Sequence, residues 1–295
     1  MNEMRLLCTQ YRFNPEAVLF LDSAYQQLAN HNEAFAVFCR QIQLCEEELL
    51  FEHESVFAAL HELQASCSLH PHTIDLLYLI RLLPLLEKRY KENGIPLRYY
   101  ENFVYLLRKA AENSLSTCGF CSISTGWWLI DYYKMKLYSI GRLQFKRRKF
   151  KRPMGWFQPG QYYIDVHIPG GSPLTYESCR RAYDEAASFF QRKYGMEEIV
   201  FCCHSWLLSP DLDEFLPPHS NILAFAHDYT ILETTVDPNS HAAVFVFGVS
   251  SMPDNIDELP GDTSLRRAFK ERLKAGKTIN VAFGAMTYNA TQQEE

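Results

Sequence analysis

The chain has 295 residues, of which 47% are hydrophobic and 14% aromatic, so it can bury the cores of two domains and is not disordered by composition. Its formal net charge is −6, which gives no general reason to expect nucleic-acid or membrane binding. No stretch approaches the ~20 apolar residues of a membrane helix, and nine scattered cysteines are typical of reduced thiols rather than of a disulfide framework. We therefore expect a soluble cytoplasmic protein.

Helical patterns dominate residues 14–113. Asn14, followed by proline, is a typical helix start, because its side chain can accept a hydrogen bond from the first turn. Residues 73–94 read as one helix that Pro84 should kink. Since no strand pattern interrupts this region, we predict an all-helical N-terminal domain over residues 1–135.

The pattern then changes to helices alternating with strands. In chain order we predict a helix at 124–140, a strand hairpin at 142–150 and 160–169, a helix at 175–195, a strand at 197–203, a helix at 220–232, a strand at 242–249, a helix at 262–276 and a strand at 278–288. This order is typical of an α+β or α/β fold, so we predict a mixed-sheet α/β domain over residues 136–295.

A turn joins the second hairpin strand to the helix at 175–195. Strand-to-helix junctions expose backbone N–H groups, and the helix dipole adds positive charge, so such places bind phosphate. The phosphate-contacting candidates are Gly170, Gly171, Ser172 and Leu174, with Arg180 in the helix as a cationic partner. A tight turn without a ligand is the alternative, since two glycines alone are a weak signal.

Polar side chains lie at the ends of two strands on either side of this turn and helix. Asp165 and His167 share one strand face, and His204 and Ser205 follow the next strand. Ligands of open α/β sheets bind at the carboxyl ends of strands, so these four side chains are the catalytic candidates. A neutral histidine there could accept a proton from an amine. The alternative for each histidine taken singly is a core side chain bonded to the backbone.

Residues 136–152 hold eight basic residues and no acidic residue. This run could attract a polyanion and, with neighbouring tyrosines, form an RNA-binding strip. The alternative is a solvated hairpin whose lysines prevent aggregation.

Cys118 and Cys121 have C-x-x-C spacing, but a zinc site needs further ligands. Cys202, Cys203 and His204 are the candidates, and adjacent strand residues point to opposite faces. We therefore expect no metal.

Five segments of the second half carry a family resemblance. They are "GRLQFKRR" at 141–148, "VHIPGGSPL" at 166–174, "CHSWLLSP" at 203–210, "PPHSNIL" at 217–223 and "TSLRRAFKERLKAGKTIN" at 263–280. Together they resemble a family of bacterial acyltransferase-domain proteins. Its members pair a helical N-acyltransferase N-terminal domain with a GNAT-like C-terminal domain.

The resemblance implies that a central strand is followed by a phosphate-binding turn and a helix, and that the next parallel strand splays away. Acyl-CoA lies in the opening. The corresponding segments are residues 162–168, 170–174, 175–194 and 198–203. The glycines would then cradle the pyrophosphate of CoA, although Pro169 to Pro173 differ from the widespread Gln/Arg-x-x-Gly-x-Gly/Ala pattern.

The activity implied is acyl transfer from acetyl-CoA or another acyl-CoA to a small-molecule or peptide amine. We expect His204 to be the base, with His167 or Asp165 assisting. Ser205 or Cys203 could protonate the leaving thiolate, and Tyr229 or Tyr288 are equal alternatives. A catalytically silent ligand-binding or interaction module is the second hypothesis, and RNA binding is the third. The oligomeric state stays open.

Overall fold

The computed structural model of the chain describes residues 3–47, 53–170, 172–237, 241–249 and 252–288. The predicted phosphate contact at Gly171 therefore lies outside the described residues. The chain divides into two compact units, Met1–Ile140 and Gly141–Glu295. The domain boundary predicted at 135/136 stays a prediction, because compactness alone does not define an independently folding domain.

Helices form almost all of the first unit, as its periodicity predicts. They are α1 (Glu3–Gln10), α2 (Pro15–Ala29), α3 (Asn32–Glu46), α4 (His53–Glu62), α5 (Gln64–Cys67), α6 (Pro71–Arg81), α7 (Leu83–Glu92), α8 (Leu97–Cys118) and α9 (Gly126–Tyr133). Helix α2 starts as predicted, since the Asn14 side chain accepts a hydrogen bond of 2.7 Å from the backbone N–H of Ala17.

The single kinked helix predicted around Pro84 is in fact two helices. α6 ends at Arg81, and α7 has Pro84 at its second position. Proline has no N–H to donate, and its ring clashes with the carbonyl four residues earlier. The chain therefore starts a new helix at Leu83 instead of bending one.

The predicted helix over residues 124–140 is wrong at its C-terminal end. Met135 adopts a left-handed conformation, with φ of 56°, directly after α9. That conformation ends a helix. After Lys136 the chain forms the short strand β1 (Leu137–Ile140), in which every side chain is buried.

The strands form one mixed sheet in the order β1-β2-β3-β4-β6-β5. The elements of the second unit are β2 (Leu143–Lys149), β3 (Tyr162–His167), α10 (Tyr176–Tyr194), β4 (Ile199–Ser205), α11 (Asn221–Ala226), β5 (Thr230–Thr235), α12 (His241–Phe247), α13 (Ser264–Lys274) and β6 (Val281–Tyr288). Strand β3 pairs antiparallel with β2 and parallel with β4, and β6 is antiparallel to β4 and to β5. The predicted fold class, a helical region followed by a mixed-sheet domain, is confirmed.

Two elements of the second unit were predicted wrongly. Residues 230–235 form strand β5 instead of continuing a helix, because this threonine-rich segment pairs with β6. Residues 241–247 form helix α12 instead of a strand. Ala243 and Phe247, one helical turn apart, are both buried in one cluster, whereas Phe245 is 75% exposed. Burial on one helical face overrides the strand propensity of the valines and phenylalanines.

The sheet has two different faces in the second unit. On one, which we call the α10 face, the rings of Phe145 and Phe201 pack against Tyr183 of α10. On the other, which we call the loop face, Phe150 and Phe157 of the loop between β2 and β3 pack with Cys202. Strand β4 is buried on both sides up to Cys203, as expected for a central strand.

Candidate active site

A fork opens between the parallel strands β3 and β4. Among the described residues, these strands pair at Ile164 with Phe201 and at Asp165 with Cys202, and no pair is formed beyond them. β3 nevertheless continues to His167 and β4 to Ser205. The ends of the two strands are therefore free of each other's backbone hydrogen bonds, which matches the splay that the family resemblance implies.

Three of the four catalytic candidates lie on the loop face at this fork. Asp165 and Cys202 are paired neighbours, and paired residues of a sheet point to the same face. Side chains two positions further along each strand return to that face, which places His167 and His204 beside them. The two histidines thus flank the point where the strands separate.

Asp165 and His167 are in direct contact. His167 Nε2 lies 3.0 Å from Asp165 Oδ2, and Arg148 of β2 donates its Nε–H to the same oxygen at 2.7 Å. The carboxylate is almost entirely buried, whereas the imidazole is 33% exposed. A proton on Nε2 that faces the carboxylate leaves the lone pair on Nδ1, so this contact fixes the tautomer and the ring plane of His167.

His204 differs from His167 in its surroundings. Its side chain is exposed, and its ring centroid lies 6.3 Å from that of Phe283, the residue paired with it on β6. Within the described part of the chain, no hydrogen bond holds its imidazole nitrogens. His204 is therefore free to contact a ligand in the fork.

The candidate proton donors lie apart from these histidines. Ser205 and Cys203 are neighbours of His204 in β4 and so point to the α10 face. The Ser205 hydroxyl accepts a hydrogen bond of 3.1 Å from the backbone N–H of Leu207 and caps a short 3₁₀ turn. Cys203 is fully buried, and burial raises the pKa of its thiol.

The two candidate tyrosines are also on the α10 side. The hydroxyls of Tyr229 and Tyr183 are 2.7 Å apart, and burial raises the pKa of both. Tyr288 donates to Asp184 of α10, and burial raises its pKa as well. The geometry leaves Ser205 as the half-exposed member of this donor set.

The segment from Pro169 to Leu174, which we call the glycine turn, is exposed at Gly170 and Ser172 and half-buried at Leu174. A side chain built on Gly170 would meet nothing within 4 Å, and its φ lies outside the left-handed region. Open space over an exposed backbone is what a phosphate needs for close approach. The turn leads directly into α10, which Thr175 caps by accepting from the Ser178 N–H at 3.3 Å.

Arg142 binds two backbone carbonyl groups of the glycine turn. Its Nη2 donates to the carbonyl oxygen of Ser172 at 2.8 Å, and its Nε donates to that of Pro173 at 3.0 Å. Burial lowers the pKa of this guanidinium. These two hydrogen bonds hold the carbonyl groups of Ser172 and Pro173, directly before α10.

If the glycine turn binds a phosphate, loss of this clamp should weaken binding. We expect Arg142→Met to raise the dissociation constant for CoA by roughly 10-fold, the equivalent of one hydrogen bond to a charged group. Calorimetric titration of CoA into both proteins measures the change. Arg181→Met, an exposed position on α10, is the control. Equal affinities for all three proteins would show that the clamp does not preorganise the turn.

Arg180 lies on α10 with its guanidinium carbon 5.1 Å from the ring centroid of Tyr288. It lies near Asp228, whose pKa burial raises and the Arg180 charge partly lowers. The predicted contact of Arg180 with CoA stays a prediction.

Several cations of the basic run have partners within the second unit. The Arg147 guanidinium stacks 3.4 Å above the Tyr162 ring, Arg148 is bound to Asp165, and Arg152 is paired with Glu233. The contacts of Arg142 and Arg148 were not predicted from the sequence. Arg142 directly precedes β2 and Arg148 lies within it, and their even separation, which puts both on one strand face, was the available signal.

The cysteine-based zinc candidates do not assemble. Seven of the nine cysteines are buried, and Cys39 and Cys118 are exposed. Within the described ranges, only His61, His72 and Asp75 form a group of three side chains that could share a metal ion. The described helices also include none with the length and hydropathy of a membrane span.

Comparison with known proteins identifies the sheet domain. Residues 137–286, about half of the chain, match the model of a family described as the GNAT-like C-terminal domain. No curated protein matches the sequence.

Solved structures match almost the whole chain. An acyltransferase in complex with decanoyl-CoA and teicoplanin is 21% identical, with a TM-score of 0.76 over 97% of this chain and 88% of the other. An acyltransferase in complex with CoA and 10C-teicoplanin is also 21% identical, with a TM-score of 0.76 over 98% of this chain and 88% of the other. A mutant acyltransferase in complex with octanoyl-CoA is 20% identical, with a TM-score of 0.76 over 97% of this chain and 88% of the other. At this identity the likeness establishes a shared fold.

Proposed function

The chain belongs to the family with the GNAT-like C-terminal domain, and from that premise we propose that it transfers an acyl group from acyl-CoA to an amine. The observation that carries the proposal is the fork between β3 and β4, bordered by the glycine turn and by the histidines of the loop face. A thioester can enter a sheet only where two strands have separated.

The pyrophosphate of CoA would lie over the glycine turn. Backbone N–H groups of the turn and of the first turn of α10 supply donors, and the dipole of this 19-residue helix favours an anion at its N-terminus. The pantetheine arm would then run into the fork and bring the thioester towards His204 and His167. This proposal assigns Gly170, Ser172 and Leu174 to the cofactor.

The chemistry requires three contributions from the protein. A base removes a proton from the attacking amine, backbone donors stabilise the oxyanion, and positioning brings amine and thioester together. We assign the base to His204, because it is exposed in the fork, and we assign the oriented pair His167–Asp165 to the amine or to a water that links it to His204. Nitrogen attacks the thioester carbon, its proton passes to His204, the C–S bond breaks, and the thiolate of CoA receives that proton from the imidazolium.

The solved structures of the same fold support a proposal for the acyl chain and the acceptor. Those structures hold CoA, octanoyl-CoA and decanoyl-CoA, and two of them hold teicoplanin or 10C-teicoplanin. We therefore extend the expected donors from acetyl-CoA to acyl-CoAs of eight to ten carbons. A small-molecule or peptide amine remains the expected acceptor.

Binding of CoA is the first test of this function. Ligand at 100 times its dissociation constant should stabilise the protein by about 2.7 kcal/mol, which thermal unfolding over a concentration series of CoA, acetyl-CoA, octanoyl-CoA and decanoyl-CoA would detect. Absence of any saturable shift at millimolar ligand would overturn the proposal. Binding without release of CoA thiol in the presence of an amine panel would instead favour the silent ligand-binding module.

Gly170→Val tests where CoA binds. The protein has room for the new side chain, so the fold should be kept, but the isopropyl group would occupy the space of the pyrophosphate. We expect the dissociation constant of CoA to rise by at least about 10-fold, which corresponds to about 1.4 kcal/mol. Gly261→Val is the matched control, since its added Cβ makes an ordinary contact of 3.5 Å with Arg267. Unchanged affinity in Gly170→Val would remove the turn from the cofactor site.

A further inference from the structure

The helical unit contains a cluster of two histidines and one aspartate that acyl transfer does not use. His61 lies on α4, and His72 and Asp75 lie on α6. His61 Nε2 is 3.0 Å from both carboxylate oxygens of Asp75, and His72 Nδ1 is 3.0 Å from Oδ2. The three ligating atoms all lie within 4.8 Å of one another.

We propose that this cluster binds one divalent transition-metal ion of the zinc type and so joins α4 to α6. Two imidazole nitrogens and one carboxylate oxygen are the donor set that such ions prefer, and hard cations such as Mg²⁺ and Ca²⁺ prefer oxygen ligands alone. The spacing lets one ion reach all three atoms at bond lengths of about 2.0–2.2 Å after small side-chain rotations.

The surroundings of Asp75 favour a cation. Its side chain is only 3% exposed, so the charged carboxylate is held away from water. Among the described residues, no lysine or arginine is paired with Asp75. Asp165 differs in this respect, because Arg148 already occupies its Oδ2. A buried carboxylate without a fixed cationic partner gains most from a metal ion.

The helices hold the carboxylate in place. A Cβ added to Gly126 would lie 3.2 Å from Asp75 Cβ and 3.0 Å from Phe57, so α9 packs closely on this position. The N-terminal turn of α6 is also held by a hydrogen bond, in which the backbone N–H of Ile123 donates to the carbonyl of His72 at 3.0 Å. Ligands on rigid elements need little reorganisation to bind an ion.

The two imidazoles provide access. Their side chains are 40% exposed at His61 and 34% exposed at His72, so an ion can enter from solvent and keep a water molecule as its fourth ligand. His70 packs against His72 with ring centroids 5.3 Å apart, and it lies outside the group of ligating atoms. The inference is independent of the acyltransferase site, since every residue involved lies in the first unit.

Zn²⁺ and Co²⁺ themselves are the probes. The full chain, stripped with EDTA and with the exposed thiols of Cys39 and Cys118 alkylated, is titrated with each ion by calorimetry, and Co²⁺ is also followed by its visible absorption. We expect one ion per chain, an absorption spectrum of a nitrogen- and oxygen-ligated Co²⁺, and no comparable binding of Mg²⁺.

The variants His61→Gln and His72→Asn place an amide N–H close to Nε2 and Nδ1 respectively. Each keeps a hydrogen-bond donor to Asp75 but loses a metal ligand. We expect each to weaken Zn²⁺ binding at least about 10- to 100-fold, as even loss of an outer-shell partner does. His227→Ala removes an exposed histidine that pairs with Asp213 at 2.9 Å, and it should bind Zn²⁺ like the unmodified chain.

Three results would overturn the proposal. The first is the absence of saturable one-to-one Zn²⁺ binding. The second is that the His61→Gln and His72→Asn variants bind Zn²⁺ as tightly as the unmodified chain. The third is that His227→Ala loses as much Zn²⁺ affinity as those two variants. The cluster would then be a buried carboxylate held by two histidine donors.

Discussion

His204→Ala is expected to lower the turnover of acyl transfer by about 10²–10⁴, which is the usual contribution of a general base. The affinity for acyl-CoA should change little, because the proposed contacts of CoA are on the glycine turn and not on this imidazole. His204 is exposed and lies at the fork on the loop face, where the amine must approach the thioester. Single-turnover rates and calorimetric titration of CoA measure the two quantities separately.

A matched substitution separates the proposed base from an ordinary surface histidine. His227→Ala, an exposed histidine bound to Asp213, is the matched control and should keep full turnover. If His204→Ala keeps its turnover, the base is a different group, and His167→Ala then tests the pair with Asp165.

Phe201→Ala is expected to lower the free energy of unfolding by about 3–5 kcal/mol, since it leaves a large cavity in the core. The Phe201 ring is fully buried at the centre of β4. Its centroid lies 4.9 Å from that of Tyr183, 5.4 Å from that of Tyr288 and 5.6 Å from that of Phe145. Urea denaturation, followed by a signal from the second unit, measures the change.

The same substitution at an exposed phenylalanine shows how much of the stability loss comes from burial of the ring. Phe245→Ala removes an identical ring that is 75% exposed on α12, and it should change stability by no more than about 0.5 kcal/mol. A loss at Phe201 no larger than the loss at Phe245 would show that β4 does not depend on this packing. A protein too unstable to purify after Phe201→Ala can be compared with Phe201→Leu, which keeps most of the volume.

Strand β4 connects these two predictions. The same strand is buried on both faces at Phe201 and Cys202, and it exposes His204 two residues later. The packing of Phe201 on α10 therefore helps to position the backbone of β4 and, with it, the His204 imidazole. We expect a milder core change such as Phe201→Leu to lower turnover as well, because a small misplacement of a catalytic group costs rate.

The sequence by itself determined the elements whose pattern is local. Asn14 with Pro15, the hairpin at β2 and β3, and the alternation that brings Asp165 and His167 to one face were all predicted correctly. The helix predicted to begin near residue 262 begins there, and the Thr263 side chain caps it by accepting the backbone N–H of Arg266. The caps and the alternation depend on residues within a few positions of one another, and each strand of the hairpin has its own local pattern, so this information is present in short windows.

Only the tertiary structure decided features that depend on distant partners. Residues 241–247 became a helix because their buried face packs into a cluster with Phe269, and residues 230–235 became a strand because β6 lies beside them. The clamp of Arg142 on the glycine turn joins residues about 30 positions apart, and the cluster of His61 and Asp75 spans two helices. Secondary-structure propensity contributes less free energy than the burial of apolar surface or the pairing of a buried charge. Which surfaces are buried and which charges are paired depends on contacts between distant parts of the chain.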